Sequence, residues 1–168
     1  MDLNRLTQKA QEALKQAQTT AVRFGHQEVD VEHLLLALIE QEQGLVPGIL
    51  ERIGATPAAM KGRVEEALAR LPRVSGPGVE PGNIRVTQRF SRVLVAAGDE
   101  AKRLKDEYIS VEHLLLAMAD EGRGAPASKI LHDMGVDRKA ILEQLKAIRG
   151  NQRATTDNPE GQYEALKK

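Results

Sequence analysis

The sequence predicts an all-α fold, a pseudo-twofold tandem repeat of two four-helix half-domains. Three observations carry that prediction. Val29-Asp30-Val31-Glu32-His33-Leu34-Leu35-Leu36-Ala37-Leu38 returns as Ile109-Ser110-Val111-Glu112-His113-Leu114-Leu115-Leu116-Ala117-Met118, a shift of 80 residues, and 13 of the 32 positions from Thr7 to Leu38 are identical to their counterparts without a gap. A repeat this dense defines the unit of folding before any single element is assigned. Within each copy apolar residues recur at helical spacing, and no segment alternates with period two for long, so strands are unlikely.

Each copy reads as four helices. In the first helix Ala10, Ala13, Leu14, Ala17, Ala21 and Phe24 share one face, matched in the second copy by Phe90, Val93, Leu94, Ala97, Ala101 and Leu104. Thr7 and Thr87 precede these runs, where a hydroxyl accepts from an unpaired first-turn N–H. The second helix opens after Asp30 or Ser110 and runs toward Gly44 or Gly122. A short third helix has Pro47 or Pro126 near its start and Gly54 or Gly135 past its end, the usual Pro-first, Gly-last asymmetry. The fourth begins at Thr56-Pro57 or Asp137-Arg138 and turns Met60, Val64 and Leu68, or Ile141, Leu145 and Ile148, toward the core.

Residues 1–71 form the first repeat and 84–150 the second. The connector at 72–83 is marked by Pro72, Gly76, Pro77, Gly78, Pro81 and Gly82. Residues 151–168 begin polar and aperiodic, as a flexible linker does, and regain helix-forming composition at Tyr163-Glu164-Ala165-Leu166-Lys167-Lys168, as if leading to a further domain.

Lys plus Arg and Asp plus Glu are 24 each in 168 residues, which lacks the basic surplus of a nucleic-acid or membrane-surface binder. Cysteine is absent, so thiol chemistry and disulfides are excluded and a reducing compartment, the cytoplasm, is the expected home. With two Phe, two Tyr and no Trp, no aromatic stacking surface assembles and the core must be aliphatic. The longest apolar run, Leu34 to Ile39, is far below the roughly 20 residues a bilayer span needs.

The conspicuous polar pair is Glu32-His33 with its repeat Glu112-His113. Neighbouring helix positions diverge by about 100°, so the two side chains of a pair cannot converge on one metal ion. The histidines are expected to bond nearby backbone. The glutamates support the first turn against the helix dipole and, beside a junction of copies, are also placed to receive a cationic group. His26 and His132 have no matching histidine and are given no role. No phosphate-cradling Gly-rich motif and no Gly-x-Ser-x-Gly occurs, so no catalytic residue is assigned. Where one copy has Lys and the other Val, at Lys15/Val95 and Lys102/Val22, the valine is not demanded by the core, which makes it a candidate contact residue.

Two tandem copies of Thr-x6-Leu-x2-Ala followed by Val-Glu-His-Leu-Leu-Leu-Ala resemble the Clp N-terminal domain, the double-repeat helical module at the front of Hsp100/Clp ATPases. The opening Asn4–Leu14 and the closing Tyr163–Lys168 look like the disaggregase branch of that family. The resemblance implies a non-enzymatic docking domain of a hexameric, stress-responsive chaperone, with ATP and magnesium bound elsewhere in the parent and not in this chain. The partners it implies are unfolded or aggregated polypeptides, the parent's own ATPase domains and, functionally, the Hsp70 (DnaK) system, with no nucleic acid and no membrane. It places substrate contacts at Thr7, Leu94, Asp106 and Glu112, to which the unforced Val95 is added. Ala96 stands where the family carries a larger residue, so the depth of the apolar groove is open. In the related ClpC-type unfoldase branch, phosphoarginine or adaptor contacts fall at the positions of Glu32 and Glu112, which is the alternative reading.

Overall fold

A computed structural model describes residues 3–42, 44–72, 85–122, 124–150 and 153–160. After a 3-10 turn at Leu3–Arg5 come α1 (Gln8–Arg23), β1 (Glu28–Val29), α2 (Val31–Glu40), α3 (Leu45–Ile53) and α4 (Pro57–Ala69). The second copy repeats the order with β2 (Arg85–Val86), α5 (Gln88–Arg103), α6 (Val111–Ala119), α7 (Pro126–Asp133) and α8 (Arg138–Arg149). The connector beyond Pro72 and the segment Tyr163–Lys168 lie outside the described residues.

The helix starts follow the sequence. The Thr7 hydroxyl accepts from Ala10 N–H at 3.1 Å and the Thr87 hydroxyl from Phe90 N–H at 3.0 Å. Gly54 and Gly135 end α3 and α7 at φ 102° and 81°, a backbone region that L side chains enter only with strain. The second helices stop earlier than expected, at Glu40 and Ala119, because Gln41 turns extended and its side chain donates to Lys9 C=O at 2.8 Å.

The expectation of no strands is corrected by two short parallel pairings. Glu28–Val29 pairs with Arg85–Val86, and Leu6 bridges Ile109. Each joins the segment before the first helix of one copy to the segment before the second helix of the other. Two-residue strands leave no room for an alternating pattern, which is why periodicity missed them.

Every residue of α2 from Val31 to Ile39 and of α6 from Val111 to Ala119 is buried. A helix apolar on all sides belongs in the middle of a core, and here α2 touches α6 while α1 covers α2 and α5 covers α6. Ala10, Ala13, Ala17 and Ala21 let α1 approach closely, while Leu14, Phe24, Leu94 and Leu104 sit partly buried at the rim. The copies interlock, α3 packing on α8 and α4 on α7. Among the described residues no helix is long and apolar enough to cross a membrane.

Candidate functional site

The polar side chains gather at the N-termini of α2 and α6, which the strand pairings bring to the junction of the copies. Both networks are built on the same turn. After α1, Gly25 at φ 74° lets His26 N–H bond Ala21 C=O; after α5, Lys105 at φ 60° does the same for Asp106 and Ala101. This left-handed cap aims residues 26 and 106 at the histidines of the following helices.

At α2, His33 Nδ1 accepts from Asp30 N–H at 2.9 Å, and its Nε2 meets His26 Nδ1 at 2.8 Å. Backbone bonding by His33 is as expected; the absence of a role for His26 is corrected. His26 is the counterpart of Asp106 across the repeat shift, and both contact the Nε2 of the histidine seven residues on. Burial, with His26 alongside, lowers the His33 pKa to about 4, so the ring is neutral at physiological pH. Asp30 Oδ1 accepts from Val31 N–H at 2.8 Å and from the Thr87 hydroxyl at 2.7 Å. Glu32 accepts from both Arg89 terminal nitrogens, at 2.8 and 3.2 Å, and from Ala127 N–H at 3.0 Å. It thereby caps α7 of the other copy, whose own cap residue, Ala125, has no side-chain oxygen. Arg89 also reaches Asp30 and Glu121; its burial is outweighed by these carboxylates and it holds its proton more firmly than usual.

At α6, His113 Nδ1 accepts from Ser110 N–H at 2.8 Å and its Nε2 lies 2.7 Å from Asp106 Oδ2. Asp106 Oδ1 accepts from Arg149 at 2.5 Å and from Ala154 N–H at 2.8 Å. Burial pushes its pKa up, yet the hydrogen bonds from His113, Arg149 and Ala154 prevail and hold it at about 2. Arg149 continues to Glu112 at 3.2 Å, and Glu112 also accepts from the Ser110 hydroxyl.

Of the residues named from sequence, Asp106 and Glu112 are joined through Arg149, and Thr7, also buried, bonds Glu160, which Val111 N–H at the α6 N-terminus reaches as well. Leu94 and Val95 lie on α5, the helix packed on α6; Leu94 is partly buried, whereas Val95 is 61% exposed. Glu32 and Glu112 do receive cationic groups, those of Arg89 and Arg149 in this chain. Between α5 and α6 a groove of about 380 Å³ is lined by Val93, Ala96 and Ala117 together with three arginines, among them Arg89 and Arg103, and four carboxylates, among them Glu100 and Glu121. Among the described residues no three His, Asp or Glu side chains converge as a metal site requires.

Sequence reasoning missed Arg89, Arg149 and Glu160. The Thr7 hydroxyl donates to Glu160 Oε2 at 2.6 Å, and Val111 N–H donates to the same oxygen at 3.2 Å. Burial and the nearby Glu112 carboxylate raise the Glu160 pKa to about 7. No local pattern announces this, because the glutamate arrives from a polar segment 153 positions beyond Thr7.

A family profile described as the Clp repeat (R) N-terminal domain matches residues 5–134. The chaperone protein ClpB of Nitratidesulfovibrio vulgaris is 49% identical over all 168 residues, and that of Bacillus cereus is 44% identical over the same span. The chain spans 19% of the length of these relatives. Among solved structures, the Hsp104 N-terminal domain from Candida albicans superposes with a TM-score of 0.77 at 22% identity, covering 92% of this chain and 98% of that one. The N-terminal domain of ClpD from Arabidopsis thaliana gives a TM-score of 0.64 at 23% identity, with 87% of this chain and 97% of that one covered. These two likenesses concern the fold.

Proposed function

Since the chain belongs to the family of Clp repeat N-terminal domains, we propose that it is the substrate-docking domain of a ClpB-type disaggregase, a cytoplasmic module that captures exposed apolar segments of unfolded polypeptide and passes them to ATPase domains of the same protein. The chemistry of ATP and magnesium belongs to those other domains. The observation that carries the reading is the junction itself, where Thr7, Asp106 and Glu112 are buried near the start of α6 while α5, packed on α6, presents Val95 to solvent. A solvent-facing valine on a charged helix, where the other copy has Lys15, fits a contact surface.

Capture by such a surface is weak, because ordering a flexible client opposes the small area buried. In a hexamer, six copies on linkers recover affinity through effective concentration. Weak capture also suits release into a pore. Binding of this chain to permanently unfolded casein, followed by titration, is expected to be weak and to fall several-fold in Val95→Asp and Leu94→Gln. Unchanged binding in both variants would overturn the reading.

The phosphoarginine alternative has one observation in its favour, namely that Glu32 and Glu112 each already hold a guanidinium. A phosphoarginine peptide would have to displace Arg89 or Arg149, so binding that strengthens in Arg89→Ala and disappears with Glu32→Ala is the outcome that would support it.

A further inference from the structure

The two copies differ in the groove beside the left-handed turn. In the first copy His26, Gln27, Glu28, Asp30 and Thr87, with Leu71 and Pro72 from the segment after α4, line a pocket of about 200 Å³. Their counterparts at a shift of 80 are Asp106, Glu107, Tyr108, Ser110 and Thr7, and this second groove is filled by residues 153–160 of the same chain.

The filling is anchored at its two ends and arches between them. Ala154 is fully buried; its N–H donates to Asp106 and its C=O accepts from Glu107 N–H at 3.0 Å and Tyr108 N–H at 2.9 Å. Farther along, Asp157 C=O accepts from Gln8 N–H at 2.8 Å and Glu160 is again buried. Between these anchors Thr155, Thr156, Asp157 and Asn158 are exposed.

The repeat explains why Glu160 sits there. In the first copy the carboxylate that accepts from the Thr87 hydroxyl and from Val31 N–H is supplied internally by Asp30. In the second copy the corresponding residue is Ser110, which has no carboxylate, and its hydroxyl donates instead to Glu112. Thr7 O–H and Val111 N–H are thus two buried donors that Ser110 does not serve, and Glu160 brings the acceptor from farther along the chain.

We propose that the groove beside α6 is a receptor for an arched segment in which a small residue is followed six positions later by a carboxyl group, and that residues 153–160 occupy it in cis as a latch that a client segment displaces. The proposal rests on the docking reading above and adds what regulates the site. A covered site binds more weakly by the fraction of molecules in which it is open; if the latch is closed in about nine molecules in ten, removing it strengthens binding about tenfold.

The test uses the whole chain. Glu160→Ala removes the carboxylate, and Ala154→Asp sets a second negative charge against Asp106; Thr155→Ala, in the exposed arch, is the control. Amide exchange at Gln8, Glu107, Tyr108 and Val111 reports latch opening. Unfolded casein reports client access. A free peptide with the sequence of residues 153–160, capped at both ends, reports the site itself. The proposal expects faster exchange in both variants, casein binding strengthened about five- to tenfold, and return toward the original affinity when excess peptide is added, but not when its glutamate is replaced by alanine, which leaves Thr7 O–H and Val111 N–H without an acceptor. Unaltered exchange, or faster exchange with casein binding unchanged, would overturn the latch. If Val95→Asp weakens casein binding while Glu160→Ala leaves it unchanged, the latch falls and the docking function stands. If Val95→Asp and Leu94→Gln have no effect, the docking function falls, and capture of the free peptide by Glu160→Ala alone decides whether the groove is a receptor.

Discussion

His33 and His113 bond their helices identically through Nδ1, yet one faces a histidine and the other a carboxylate. Their acid responses can be derived. His33 has a folded-state pKa of about 4 against 6.5 in the open chain, so it is protonated on unfolding before it is protonated in place. Its stabilisation is whole above pH 6.5 and is lost as pH falls from there toward 4, a loss of about 3 kcal/mol at 1.36 kcal/mol per unit. Asp106 acts in the same direction over a lower window, its contribution present above pH 3.8 and lost as pH falls toward 2. Glu160 opposes both: with its pKa raised from 4.5 to about 7, tail docking is strongest below pH 4.5 and weakens as pH rises through 7. Urea midpoints measured from pH 8 to pH 4 should fall with acid in the original chain and fall less in His33→Gln; parallel curves would contradict this account. At Lys105, a left-handed φ is forced on a side chain where the first copy uses Gly25. Lys105→Gly is expected to raise stability by up to about 1 kcal/mol, the left-handed strain outweighing the added freedom of the unfolded chain.

Among the elements, α2, α6 and α7 begin on carboxylates of unequal origin. Asp30 serves α2 from within, Glu160 serves α6 from the tail, and Glu32 serves α7 from the other copy. Loss of a cap costs about 0.5–2 kcal/mol. Asp30→Ala should sit at or above the upper end, since Thr87 and Arg89 lose a partner as well. Ser110→Ala should cost less, because Glu160 still holds Val111 N–H. Combining Ser110→Ala with Glu160→Ala is expected to give about the sum of the single changes, since the two side chains bond different partners. Chemical denaturation of the variants measures this, and a Glu160→Ala change without cost would show that this carboxyl group does not serve α6. Glu32→Gln removes charge from both Arg89 and the α7 cap and is expected to cost about 2–3 kcal/mol. The caps at Thr7, Thr87 and Asp30 were readable locally, since a cap and its acceptor lie within one turn. The cap of α7 was not, because its carboxylate is 95 positions away.

At the scale of the whole molecule, the interlocking of α3 with α8 and α4 with α7 denies either copy a complete core of its own. Thermal unfolding is therefore expected as a single transition with matching calorimetric and van't Hoff enthalpies, and residues 1–71 alone should not fold cooperatively. Two resolved transitions would mean that the repeats are separate domains. Sequence by itself determined the duplication, the helical class, the burial of the triple-Leu helices and the convergence of Val-Glu-His on a helix start, because each is a matter of spacing within one or two turns. It also marked Val95, through the lysine opposite it in the repeat. Tertiary structure alone decided which charges meet. Arg89 and Arg149 occupy positions that do not correspond across the repeat, yet both end on the same glutamate of their respective networks, and Glu160 completes a site begun at Thr7. A buried carboxylate is paired by whatever cation or donor the fold carries to it, and proximity of that kind comes from helix packing and chain return, which leave no period in the sequence.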